Sequence, residues 1–166
     1  MATVTVTNEP DDIIDELVAT LAGGTWAVLE TSVFDYVNRS ASVQAFKDSR
    51  LTQSPSCAVI LNSVEEYEIT DLRIGCVADL TILIASTEDT ESDRVVDITK
   101  LIGAVKNLIN ADVPDDAEAF FQDDSEEVTP RIEWGEPDSD TESSIPWQYT
   151  ELPLRIAFVT TNSTSH

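Results

Sequence analysis

His166 is the chain's single histidine, and it is the last residue. Terminal residues seldom have the packing that holds a catalytic base in place. With no histidine inside the chain, neither a Ser-His-Asp nor a Cys-His arrangement is available for nucleophilic catalysis. A structural zinc site needs four nitrogen or sulfur ligands, and Cys57 and Cys76 cannot supply them. Both cysteines lie in apolar, strand-like runs, so the expectation is two buried, inert thiols rather than a disulfide. Gly23-Gly24 has neither the lysine nor the preceding strand of a phosphate-binding loop.

Carboxylates are the abundant reactive group. Asp138-Ser139-Asp140-Thr141-Glu142 alternates acids as part of a calcium loop does. It lacks that loop's turn glycine and distal bidentate glutamate, so a solvated acidic hairpin tip is expected there. Asp115-Asp116 and Asp123-Asp124 are adjacent in sequence, and neighbours of that kind do not converge on one substrate. Glycosidase chemistry needs two carboxylates at a set separation in a cleft, and no feature picks out such a pair. These residues predict a protein that is not an enzyme and that holds no cofactor or metal.

Charge bounds the partners. The chain carries 32 Asp and Glu against 9 Lys and Arg, a formal net of −23 over 166 residues. Only Lys47, Lys100 and Lys106 are lysines. Affinity for DNA comes from cations that displace counterions, so a duplex would repel this chain. A net charge of this size strains a folded state by self-repulsion, and molar salt, with a Debye length of roughly 3 Å, screens it. Many acids with few lysines is the composition expected of a protein working in concentrated salt. The alternative is a protein with acidic loops in ordinary cytosol. No run approaches 18 apolar residues, so no membrane span is expected. The start, Met1-Ala2-Thr3-Val4, lacks the pattern of a signal peptide. The expectation is a protein made and kept in a cytoplasm until it is assembled.

The elements follow from periodicity, and one domain over 1–166 is expected, without internal repeats or linkers. Residues 1–9 read as a short extended arm. Pro10, Asp11 and Asp12 open a helix in which Ile13, Ile14, Leu17, Val18 and Leu21 form one stripe. Gly23-Gly24 ends it. Trp26–Tyr36 reads as a strand, and 37–55 as an irregular loop. That loop holds Arg39, Lys47 and Arg50 against one acid, Asp48, and is the only net-positive stretch of any length. Cys57–Leu61 reads as a central strand, followed by a strand at Val64–Thr70. Ile74–Ser86 alternates, with Ile74, Cys76, Ala78, Leu80, Ile82 and Ile84 on one face. Val95, Ile98, Leu101, Ile102, Val105, Leu108 and Ile109 mark the clearest helix, stopped by Val113-Pro114.

Residues 111–145 hold 13 acids and one base, Arg131. Acidic loops at 111–130 and 136–145 are expected around a short strand, Arg131-Ile132-Glu133-Trp134. Trp134 and Trp147 flank the second loop and read as core residues paired across a hairpin, with an aromatic contact to a partner as the alternative. Trp147–Thr160 closes the domain as a strand with Leu152, Leu154, Ile156 and Phe158 on one face. Pro153 inside it marks an edge or bulge. Residues 161–166 read as a polar tail. The predicted fold class is α+β: a mostly antiparallel sheet of four to six strands packed by two main helices. Strands at 56–62, 74–86 and 150–160 form its centre.

The order of parts resembles the tail terminator (tail completion) proteins of long-tailed viruses and phages, including their small minor tail proteins. The likeness is carried by Asp11–Leu21, Ser56–Ser86, Val95–Ile109, and the closing Arg131–Trp134 with Trp147–Thr160. The long acidic loops depart from the family pattern. The resemblance implies a hexameric ring that caps the tail tube, contacts the head connector, and has no catalytic residues. DNA would pass through such a ring without specific binding, and the protein would reside in the virion at the head–tail neck. The alternatives are another head–tail connector or minor tail component, and a non-viral halophilic binding module. Within a closed ring, identical subunits meet through two different surfaces. Arg39, Lys47 and Arg50 are therefore the expected interface residues, facing the acidic loops of a neighbour or an adjoining ring.

Overall fold

The computed structural model describes residues 3–7, 9–49, 53–70, 73–88, 90–120, 131–141 and 147–165. Three strands make the body of the sheet: β3 (Ser56–Thr70), β4 (Arg73–Thr87) and β7 (Trp147–Ser165). Strand β4 is central and pairs antiparallel with both of the others. The short β2 (Tyr36–Arg39) lies parallel to β3 at one edge. The other flank of β7 is shared by β6 (Asp138–Thr141), β5 (Arg131–Trp134) and β1 (Thr3–Thr7), all antiparallel to it. The order is β1-β7-β4-β3-β2, a mixed sheet in which β2–β3 is the one parallel pair among the described residues. The fold is α+β, as predicted.

Helices α1 (Pro10–Gly23) and α3 (Glu91–Phe120) cover one face of the sheet. The apolar stripes explain why. Ile13, Ile14, Leu17 and Leu21 of α1 and Ile98, Leu101, Val105 and Ile109 of α3 are all buried. They meet Cys76, Ala78, Leu80, Ile82 and Ile84 of β4 and Leu152, Leu154, Ile156 and Phe158 of β7 in one core. At the start of α1, the Asp12 carboxylate accepts a hydrogen bond from the Glu9 N–H at 3.1 Å. This satisfies an amide that the helix itself leaves free. A second, smaller cluster lies on the opposite face, where the short α2 (Val43–Asp48) seats Phe46 against Ala58, Ile60, Leu83, Ala85 and Tyr149.

Several expectations are corrected. The strand expected over Trp26–Tyr36 is instead a turn at Ala27–Leu29 followed by irregular chain, and only Tyr36 enters a strand, β2. The turn is closed by Trp26 N–H to Thr31 O (2.8 Å) and Glu30 N–H to Trp26 O (2.9 Å), while Val33 and Phe34 plug the core. Residues 37–55 are not irregular throughout. They finish β2 and form α2, whose N-cap Ser42 accepts from the Ala45 N–H at 3.0 Å. The strands expected at 57–61 and 64–70 are one strand, β3, interrupted by a register shift between Leu61 and Ser63. A bulge lets a single strand change its alternation and read as two.

Val113-Pro114 does not stop α3, which runs to Phe120. A proline removes one helix hydrogen bond, and helices can continue past it. The acidic loop expected at 111–130 is therefore helical over 111–120, and 121–130 lies outside the described residues. Within 136–145, Asp138–Thr141 is strand β6 rather than a hairpin tip. The arm and the polar tail pair with each other, Thr3 opposite Ser165 and Thr7 opposite Thr161. Backbone pairing needs no apolar side chain, which is why the polar 161–165 extends β7. Trp134 and Trp147 do not pair. Trp134 lies on the helix side, and Trp147 stacks beside Tyr149 on the other, with ring centroids 6.5 Å apart.

Candidate functional site

Of the residues expected to form a subunit interface, Arg39 and Lys47 do not converge. Arg39, at the end of β2, reaches the helix side and pairs with Asp11 of α1 at 2.6 Å. Lys47, on α2, lies on the other side of the sheet, its Nζ 4.6 Å from the centre of the Tyr149 ring. Arg50 lies outside the described residues. Both described cations thus have contacts within their own subunit.

The other two lysines also sit over tryptophans. Lys100 lies 4.7 Å from the Trp26 ring and Lys106 lies 5.9 Å from the Trp134 ring. Trp134 Nε1 donates to the Asn110 side-chain oxygen at 3.2 Å, so α3 is stitched to β5 through one indole. Stacking a lysine on an aromatic face keeps its alkyl stem on apolar surface and its charge near solvent.

Two surface features were not anticipated. First, the turn after α1 presents apolar side chains to solvent: Val28 is 92% and Leu29 68% exposed. Val96 on α3, one helical turn before Lys100, is also exposed. Lys100 stacks on Trp26, so the turn and this part of α3 are neighbours. The turn is anchored at its base, where Val33 N–H donates to Gly24 O and Gly24 packs against Leu108. A side chain at position 24 would collide with Leu108, its Cβ falling 2.4 Å from a methyl.

Second, the sheet face away from the helices is not covered along its whole length by α2. Leu80, Ile82, Leu152 and Leu154 point to the helices, so Asp79, Thr81, Pro153 and Arg155 point the other way. There, Arg155 pairs with Asp79 at 3.2 Å, Ser63 donates to Asp79 at 3.3 Å, and Asn62 donates to Thr81 at 2.8 Å. Glu133 of β5 stands opposite Arg155 in register. Asn62, Asp79, Thr81, Glu133, Pro153 and Arg155 help to line an open concavity of about 480 Å³. Gly135 N–H donates to Pro153 O at 2.9 Å. The nitrogen and carbonyl of one antiparallel residue point to the same side, so the missing Pro153 N–H falls where β5 gives way to β6.

No family model and no curated protein matches the chain.

Among the described residues, no group of three or more His, Cys, Asp or Glu side chains is placed to hold a metal ion. Glu142, the last acid of the calcium-like run, lies outside them. Among the same residues, no helix is long and apolar enough to cross a membrane. Cys57 and Cys76 are free and buried. Burial pushes the Cys57 thiol far up from its ordinary value of 9.0. Burial also raises Cys76, the Glu66 charge adds to that rise, and the Thr160 hydroxyl beside it acts in the opposite direction.

Proposed function

We propose that this chain is a structural virion subunit of the tail terminator type. It would associate with itself in a ring that caps the tail tube and meets the head connector, with DNA passing through unbound. The observation that carries this reading is the pairing of a strongly acidic body with surfaces left open for contact. Val28 and Leu29 stand in solvent, and a concave stretch of sheet has no cover among the described residues. Exposed apolar side chains grouped on one site mark interaction surfaces more often than scattered ones do. The order of α1, the β3–β4 pair, α3 and the closing β7 supports it further, being the order on which the resemblance rests. The net charge of −23 opposes association in dilute buffer. Concentrated salt screens that opposition.

The test is the mass of the purified chain by light scattering from about 0.1 to about 3 M KCl, with electron microscopy of the high-salt sample. Rings of about six subunits that bind the end of a purified tail tube are expected. A monomer at every salt concentration would overturn the proposal and favour a soluble binding module.

A further inference from the structure

We propose that Ser86, Asp97 and Gln148 form a binding site for one monovalent alkali cation, between the sheet and the second turn of α3. The site lies within one subunit and does not depend on the proposed ring.

Register brings the three together. Ser86 of β4 stands directly opposite Gln148 of β7. Partners in an antiparallel pair share a face, and alternation from Ile84 and Leu152 puts both on the helix side. Asp97 of α3 lies over them, and the Ser86 hydroxyl donates to its carboxylate. Ser86 is 0% and Gln148 3% exposed, and Asp97 is half-buried.

Gln148 is the residue that points to a ligand. Its Oε1 is shut off from solvent, and among the described residues no donor reaches it. A serine hydroxyl has one proton, and that of Ser86 goes to Asp97, so the cross-strand neighbour cannot serve Gln148 as well. A buried acceptor left without a partner is costly. The groups gathered around Ser86 are oxygens: an amide carbonyl, a hydroxyl and a carboxylate. Oxygen sets of this kind suit hard cations.

Charge selects the ion. Among the described residues no Lys or Arg pairs with Asp97; Arg94, one turn earlier, donates instead to the Glu88 carbonyl at 2.8 Å. One carboxylate with two neutral oxygens is balanced by a single positive charge. A divalent ion would leave charge uncompensated in a buried place, where that is expensive. A water molecule would satisfy Gln148 and leave Asp97 without a countercharge, in a chain whose net is already −23.

The test separates a bound ion from screening. Thermal midpoints are measured at one ionic strength, about 0.5 M, in NaCl, KCl and tetramethylammonium chloride. Screening depends on ionic strength and is the same in all three. The methyl groups of tetramethylammonium bar it from coordination by side-chain oxygens. An ion that binds only the folded state raises its stability. Wild-type chain should therefore melt about 2–4 °C higher in NaCl or KCl than in tetramethylammonium chloride. Gln148→Met and Asp97→Asn, with the fold verified by circular dichroism, should each lose that difference. Asp15→Asn, which removes an exposed acid on α1, should keep it. Equal wild-type midpoints in the three salts would overturn the inference and assign Gln148 a water or a reversed amide. A difference that survives in Asp97→Asn, or vanishes in Asp15→Asn, would overturn it too and assign the effect to surface acids in general. Each outcome holds whether or not the chain forms rings.

Discussion

At the residue scale, burial decides what the two thiols do. A thiolate at Cys57 would have no water and no cation to stabilise it, so its proton is held far above the ordinary 9.0. Cys76 is held in the same direction. The thiolate is the reactive form. At about pH 8, just below the usual cysteine range, an alkylating reagent should leave the native protein unmodified and label both cysteines after denaturation. The same shifts set a sign for stability. Below 9.0 both states keep their protons, and the contribution is fully present. Above it the unfolded chain releases protons that the folded chain retains, so stability falls as pH rises. Urea midpoints should decline above about pH 9, and the decline should be shallower in a Cys57→Ala, Cys76→Ala variant. An equal slope in both proteins would assign it to other groups.

At the element scale, α3 separates structural from exposed positions along one helix. Leu101 is fully buried against the sheet, while Val96 is 65% exposed. Leu101→Ala should lower the unfolding free energy by about 2–5 kcal/mol, the lost transfer energy plus the cavity left behind. Val96→Ala should change it by less than about 0.5 kcal/mol. Denaturant titration of the two variants checks both, and similar losses would mean that the face of α3 is wrongly assigned. Strand β7 shows a different dependence. It carries β4 on one side and β6, β5 and β1 in succession on the other. Its tolerance of Pro153 comes from the handover between β5 and β6. Gly135 is tied to the same point, since a Cβ there would lie 2.7 Å from the Pro153 Cβ. Gly135→Ala should therefore destabilise by about 1–3 kcal/mol through overpacking, measured in the same titration.

At the scale of the whole molecule, charge is the governing term. Two ion pairs, Arg39–Asp11 and Arg155–Asp79, have each partner at least two-fifths exposed, and such pairs add little each. They do not offset a net of −23. Thermal midpoints should rise from about 0.1 to about 3 M KCl as repulsion is screened. A flat profile would show that the acids are locally solvated and not mutually strained. The Arg39 and Lys47 contacts also change how charge reversal at the basic cluster is interpreted. Arg39→Glu and Lys47→Glu each break an intrachain contact, so loss of assembly in those variants counts only if the melting point is kept.

The sequence by itself determined the elements that carry strong periodicity. The stripe from Ile13 to Leu21, the alternation from Ile74 to Ile84 and the stripe from Val95 to Ile109 are buried or half-buried as their spacing requires, except Val95, which is 46% exposed. Side-chain burial repeats along the chain at 2 or 3.6 residues, so it is written locally. The net charge and the lack of an internal histidine were equally legible. Only the tertiary structure decided what depends on a partner distant in sequence. It made Ala27–Leu29 a turn, where the chain doubles back so that Thr25 bridges Ser32 and Trp26 lies under Lys100. It joined the polar arm and tail, because backbone groups pair whatever their side chains. It sent Arg39 to Asp11 and Lys47 to Tyr149, dispersing a cluster that existed only along the chain. It also assembled the concavity at Asn62, Thr81, Glu133 and Pro153 from four strands. No local spacing records a surface whose parts meet only when the sheet has formed.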